Sequence, residues 1–273
     1  MITFLVATDF STIADNAVEY AAALAKQFRA RIILYNAFII PVHAANSLLN
    51  AASFQALLDE NQHKLKQRAE VIGFTYDIEV GYESSYSFVE DELKNLLLKY
   101  EASLVVLGMS TKTLEQDLLG NTTTAAIKKM KFPVLAVPLG AKFTGMKKVL
   151  FACDVLRGVP VKILDKVKEL TADLNAQIEV FFVDERIEEL KSTNAGVLAI
   201  DVISDGLDGI TYSHKNVRSN AVIREIEKEI LVFQAELLIM VPKKYGFWAS
   251  LVHKSKTRMV ASGLDIPLLS IPL

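Results

Sequence analysis

The sequence predicts a duplicated α/β fold built on parallel sheets, and three observations carry that expectation. The chain repeats itself at an offset near 140 residues, apolar runs alternate with helical patterns in each half, and those runs are apolar on both faces. Strands buried on both faces between helices belong to parallel sheets, and right-handed crossovers then place helices on both sides. Two tandem, doubly wound, five-stranded parallel-sheet domains follow, over 1–140 and 146–273, joined by the short linker from Gly140 to Gly145.

The repeat rests on three matches in the same order. Phe4-Leu5-Val6-Ala7-Thr8-Asp9 matches Val149-Leu150-Phe151-Ala152-Cys153-Asp154, an offset of 145. Ala102 to Leu107 matches Ala235 to Met240 at 133, and Pro133 to Pro138 matches Pro267 to Pro272 at 134. The falling offset means that the first half carries about eleven extra residues in its middle.

Within the first half, Ile2–Ala7 is a continuous apolar strand. Ser11 stands at a helix N-cap position before the alanine-rich pattern Ala14–Phe28. Ile32–Asn36 is the second strand, residues 47–72 a long amphipathic helix, and Tyr76–Val80 a third strand. A helix over Ser87–Tyr100 leads to the strand Leu104–Leu107, and a helix over Asn121–Met130 leads to Val134–Val137. The second half predicts strands near 148–152, 178–183, 209–213, 237–241 and 268–271.

Composition narrows the class of function. The 273 residues are 51% hydrophobic and 23% charged, enough apolar content for a packed core. A net charge of −2 and a pI near 6.1 argue against nucleic acid as the main partner. Mean hydropathy is high at +0.29, yet no apolar run reaches the ~18 residues of a membrane span. The first residues lack the basic start and cleavage site of a signal peptide. A single cysteine, Cys153, permits no internal disulfide. A cytoplasmic protein is the expectation.

Sheets of this kind bind ligands beyond the carboxyl ends of their strands, where strand order reverses. Thr8-Asp9 follows the first strand. A carboxylate there can accept from ribose hydroxyls or an adenine amine, and it can equally be an ordinary cap closing the turn. Gly108 follows the fourth strand. Gly120-Asn121-Thr122-Thr123 opens a helix, where backbone N–H groups, the helix dipole and the missing Cβ suit an anion. Asn and Thr are also common capping residues, so both readings stand.

Other chemistries find no pattern. There is no P-loop, no dinucleotide fingerprint after the first strand and no Gly-x-Ser-x-Gly elbow. His43, His63, His214 and His253 are scattered without metal-ligand spacing. Cys153 reads as a buried small residue at a strand end, and Glu90-Asp91-Glu92 as acids favouring a helix dipole. No nucleophile–base pair stands out.

The Thr8-Asp9-Phe10-Ser11 opening resembles that of the universal stress proteins. So does the closing run, Leu107-Gly108 through Leu119-Gly120-Asn121 and then Phe132 to Pro138. The likeness covers the whole chain twice, as in tandem members of that family. It implies an adenine nucleotide alpha hydrolase-like fold and a non-enzymatic stress-response or regulatory module. ATP-binding members carry Gly, two residues, Gly, nine residues, then Gly and Ser or Thr. Here Gly108 and Gly120 match the outer glycines, with the spacer one residue short. Thr111 stands at or beside the middle position, and Asn121 replaces the hydroxyl residue. By this resemblance Asp9 and the backbone of Ala37 would face adenine and ribose. Gly108, Gly120, Asn121 and Thr123 would face ribose and phosphates. ATP or another adenine nucleotide is therefore the ligand expected, in the first half only.

In the second half Asp154 matches Asp9, while Val241, Lys244 and Lys254 replace the glycines. Lys243, Lys244, Lys254, Lys256 and Arg258 form a local basic cluster that reads either as solvated surface or as an anion site. The last strand commonly forms the dimer contact in universal stress proteins. The resemblance thus implies an intrachain pseudo-dimer of the two halves, with a homodimer of whole chains left open. The rival reading is a nucleotide-free protein-interaction module on the same fold. A ligase or adenylyltransferase would need a pyrophosphate loop or a histidine motif that the sequence lacks.

Overall fold

The computed structural model describes residues 1–37, 51–85, 89–109, 132–154, 158–191, 193–241 and 265–272. It divides into two compact units, Met1–Phe143 and Thr144–Leu273. Both are α/β, and the strands within each pair in parallel.

In unit 1 the elements run β1 (Thr3–Ala7), α1 (Thr12–Phe28), β2 (Arg31–Ala37), α2 (Ala51–Tyr76), β3 (Val80–Ser85), α3 (Val89–Lys99), β4 (Leu104–Met109) and β5 (Val134–Pro138). The Ser11 hydroxyl accepts from the Ala14 amide and starts α1, with Asp15 in the first turn and Lys26 in the last. Arg29 ends it in the left-handed conformation, its N–H bonded to the Ala25 and Lys26 carbonyls. The buried residues are Ala14, Ala17, Val18, Tyr20, Ala21, Ala22, Leu24 and Ala25. These mostly small side chains let α1 lie close on β1, β4 and β5. Full burial of one such leucine contributes about 1.5–3 kcal/mol.

A charged cluster joins α1 to α2. Arg68 reaches Asp15 Oδ1 at 3.3 Å and Glu19 Oε1 at 2.8 Å, and the Tyr76 hydroxyl donates to Glu19 Oε2 at 2.6 Å. Burial and then the Glu19 bond push the Tyr76 hydroxyl up to about 12.

Strand order in unit 1 is β3-β2-β1-β4-β5. The chain works outward from β1 to β3, then returns to the other side of β1, so the order reverses between β1 and β4. Leu5, Val6, Ile32, Leu34, Val105 and Val106 line this interior with no exposed surface.

Unit 2 runs β6 (Lys148–Ala152), α4 (Val161–Leu174), β7 (Gln177–Val183), α5 (Ile187–Lys191), α6 (Asn194–Gly206), β8 (Tyr212–Val217), α7 (Val222–Phe233), β9 (Leu237–Met240) and β10 (Leu268–Ser270). Its order is β10-β9-β6-β7-β8, with the same reversal between β6 and β9. α4 packs on α6 at Gly206, where a Cβ would meet Leu164 Cδ1 at 2.6 Å. α7 packs on β6 and β7.

Two expected strands move. The third was expected at Tyr76–Val80 and lies at Val80–Ser85, because α2 continues to Tyr76 and Asp77 follows in the left-handed conformation. The eighth was expected at 209–213 and lies at Tyr212–Val217, after a turn with Gly209 at a φ of 80°. Both strands end their unit's order. With a partner on one side only, they are half-buried and polar, so the apolar pattern that marks inner strands is missing. Cys153 is half-buried, where a buried place was expected, because it lies one residue past β6. The expected helix 121–130, the start of the 47–72 helix and the basic cluster 243–258 lie outside the described residues.

Candidate functional site

Strands β1, β2 and β4 bring three of the six expected site residues to one end of unit 1. The β1–β2 register ends with Ala7 opposite Tyr35, so Asp9, two residues past β1, and Ala37, the last residue of β2, both lie at the carboxyl ends of neighbouring parallel strands. The β1–β4 register ends with Val6 opposite Val106, and Gly108 follows near the carboxyl end of β4. Gly120, Asn121 and Thr123 lie outside the described residues.

The loop after β1 is tightly organised. The Thr8 amide donates to the Tyr35 carbonyl at 2.8 Å, extending the β1–β2 ladder one residue past the strand. The Thr8 hydroxyl accepts from the Phe10 amide at 3.0 Å, and Asp9 Oδ1 accepts from the Ser11 amide at 3.0 Å. Asp9 itself is exposed. One of its carboxylate oxygens therefore closes the turn, as the capping alternative anticipated. Phe10 takes a φ of 61°. Other non-glycine residues with positive φ follow helices, whereas Phe10 stands before one. A left-handed phenylalanine is strained, and such strain is retained where the surroundings over-determine it.

Beneath this loop lies a network that sequence reasoning missed. Asn36 is 4% exposed, and its Nδ2 donates to the Thr8 carbonyl at 2.7 Å. Its Oδ1 accepts from Asn61 Nδ2 of α2 at 2.8 Å, and Asn61 also donates to the Ser84 hydroxyl of β3 at 3.1 Å. Beside it the Tyr35 and Ser85 hydroxyls bond at 2.9 Å. Asn36 left a signal, an amide interrupting an apolar strand. Asn61 left none, because polar residues are ordinary on a long amphipathic helix.

Gly108 has a packing reason of its own. A Cβ there would stand 2.8 Å from Ile13 Cγ2 and 2.9 Å from the Ile13 carbonyl oxygen, so α1 comes this close to β4 only over a glycine.

Unit 2 repeats the backbone and changes the chemistry. The Cys153 amide donates to the Phe181 carbonyl at 3.2 Å, as Thr8 does to Tyr35. Phe181 and Phe182 are buried where Tyr35 and Asn36 stand in unit 1. Val241 occupies the place of Gly108. Among the described residues no group of three or more His, Cys, Asp or Glu is arranged to hold a metal ion, and no helix is long and apolar enough to cross a membrane.

The sequence profile of the universal stress protein family matches residues 1–138, just over half of the chain. Among solved structures, a universal stress protein from Archaeoglobus fulgidus DSM 4304 is 15% identical. The match covers 99% of this chain and 98% of that one, with a TM-score of 0.72. A functionally unknown protein from Pseudomonas aeruginosa PAO1 is 12% identical over 99% and 92%, with a TM-score of 0.58. A universal stress protein family protein from Arabidopsis thaliana, solved with AMP bound, is 13% identical over 52% and 94%, with a TM-score of 0.37. At these identities the structural likeness is one of fold. Among curated protein sequences none matches. The profile over the first half, the repeat, and the full-length likeness to the Archaeoglobus protein converge: the chain belongs to the universal stress protein family, as a tandem and non-enzymatic member.

Proposed function

We propose that this protein is a stress-response or regulatory module whose first half binds ATP or another adenine nucleotide at the carboxyl ends of β1, β2 and β4. Asp9 would face ribose and adenine, the Ala37 backbone would face adenine, and Gly108, Gly120, Asn121 and Thr123 would face ribose and phosphates. The observation that supports this most is the placing of Asp9, Ala37 and Gly108 at the carboxyl ends of β1, β2 and β4, beside the β1–β4 reversal. The strained turn at Phe10 and the buried Asn36 brace beneath it add to that support. In this reading each unit is a separate doubly wound sheet of the adenine nucleotide alpha hydrolase type, over 1–140 and 146–273. The two halves would form an intrachain pseudo-dimer, and sizing of the intact chain reads whether a homodimer forms as well. The second half, with its glycines replaced, would serve as a structural or partner platform in the cytoplasm.

The packing role of Gly108 favours a second reading, a nucleotide-free interaction module. Thermal melting with Mg-ATP, ADP, AMP and GTP separates the two. A ligand at 100 times its Kd stabilises the folded state by about 2.7 kcal/mol. The nucleotide reading expects a shift with adenine nucleotides that Asp9→Ala removes. No shift with any of the four overturns it and leaves the interaction module.

A further inference from the structure

Unit 2 holds two buried carboxyl groups that unit 1 lacks, with a lysine at their edge whose side chain is 39% exposed. Leu5 and Leu150 are matched residues of the repeat. Leu5 pairs with Ile33 on β2, whereas Leu150 pairs with Glu179 on β7. The next strand has Gly81 and Glu83 in unit 1 and Ser213 and Lys215 in unit 2. The helices match through their ends, where the Ala102 amide meets the Leu97 carbonyl and the Ala235 amide meets the Ile230 carbonyl. That alignment sets Leu96, 3% exposed, against Glu229, 4% exposed. Two aliphatic core positions have thus become carboxyl groups, and a carboxylate has become an ammonium.

These groups meet beneath α7. Lys215 Nζ lies 2.5 Å from Glu229 Oε2, and the Glu179 carboxyl neighbours Glu229. Glu179 is 9% exposed, and its Oε1 is buried without a partner. Neighbouring β6 offers only Leu150 at this level and β8 only Ser213 and Lys215, while Tyr212 and His214 lie on the other face of β8. The other charged residues of α7, Arg224, Glu225, Glu227 and Lys228, are exposed or half-buried. Two buried carboxylates against one ammonium leave an uncompensated charge, which is costly away from water. Two neighbouring carboxyl groups held away from water favour a proton shared between them, and the unpartnered Glu179 Oε1 offers a place for it.

We propose that Glu179 and Glu229 share one proton beneath α7, so that the seating of α7 on the unit 2 sheet loosens as pH rises. With the proton in place, the Glu179 carboxylic acid donates to the Glu229 carboxylate, which also accepts from Lys215, and the trio is neutral. Loss of that proton to solvent leaves a net negative charge in the core. Burial, then the charge of Glu229, raises the Glu179 carboxyl above its ordinary value of 4.5, with Lys215 opposing. The folded state therefore holds this proton more tightly than the unfolded chain does. Its contribution to stability is complete below the ordinary value and is lost as pH rises through the raised one.

Hydrogen exchange on the full chain from about pH 5 to about pH 8, corrected for intrinsic rates, tests this. Peptides over 222–233 should lose protection relative to peptides over 89–99, by up to about tenfold per pH unit within the titration range. Glu179→Gln should flatten the profile. Glu179→Ile, which installs the unit 1 residue, should flatten it and raise protection at neutral pH. Parallel wild-type profiles for the two helices overturn the proposal, as does a slope that survives either substitution. If the glutamine variant does not fold, the wild-type profile and the isoleucine variant decide.

Discussion

Units 1 and 2 share strand order and ladder, yet each buries its polar groups in a different place. Unit 1 puts them under the strand ends, where Asn36, Asn61 and Ser84 brace the Asp9 turn, and keeps Ile33 on β2 and Leu96 on α3 as buried aliphatic residues. Unit 2 does the reverse, with Phe181 and Phe182 toward the strand end and Glu179 on β7 and Glu229 on α7 buried, Glu229 meeting the partly exposed Lys215. The helix pairs differ as well. α1 and α2 meet through Arg68, Asp15, Glu19 and Tyr76, whereas α4 and α6 meet where Gly206 admits Leu164. A parallel α/β unit tolerates either arrangement because the backbone ladder and the remaining aliphatic positions carry the fold. The buried polar sites are then free to diverge with function.

The sharpest way to break this comparison is at Gly108 and its counterpart Val241. Gly108→Val forces a side chain against the Ile13 carbonyl and should cost unit 1 about 2–3 kcal/mol, read by denaturant unfolding. Val241→Gly should cost unit 2 no more than about 1 kcal/mol. Equal costs would mean that α1 has no special approach to β4.

A smaller effect is expected at Asn36. Asn36→Leu gives unit 1 an apolar residue where unit 2 has Phe182, and it strands the Thr8 carbonyl and Asn61. It should cost about 1–2 kcal/mol. It should also speed exchange of the Phe10 and Ser11 amides, which the β1 loop holds. A neutral substitution would show that the network is incidental to the loop.

The smallest effect is expected at Tyr76, whose hydroxyl bond to Glu19 has no place in unit 2. Tyr76→Phe should cost about 0.5–1.5 kcal/mol at neutral pH. The hydroxyl titrates at 10.0 in a model compound and about 12 in the fold, so its contribution is complete below 10 and is lost as pH rises through 12. Melting curves of wild type and variant should therefore converge across that range. A constant gap would separate the bond from the stability of unit 1.

Much of the fold was legible. Leu5, Val6, Val105 and Val106 are buried on both faces of inner strands, so their runs are continuous and visible. Ser11 announced α1, and the resulting cap is made by its hydroxyl. The end strands were displaced by three or four residues because VGYESS and YSHKNV are largely half-buried and polar and carry no apolar period. For the candidate site, the places of Asp9, Ala37 and Gly108 at the strand ends follow from chain order. The brace was not, since Asn36, Asn61 and Ser84 come from three separated elements, and only Asn36, an amide in an apolar strand, stands out alone.

By itself the sequence determined the repeat, the α/β class and the family, because these rest on local pattern and on order along the chain. Tertiary structure alone decided that Gly108 serves α1, that Asn36 holds the turn of Asp9, and that Glu179 meets Glu229. Each of those depends on atoms brought within hydrogen-bond or van der Waals reach by strand register and helix packing, and separation along the chain carries no record of that distance.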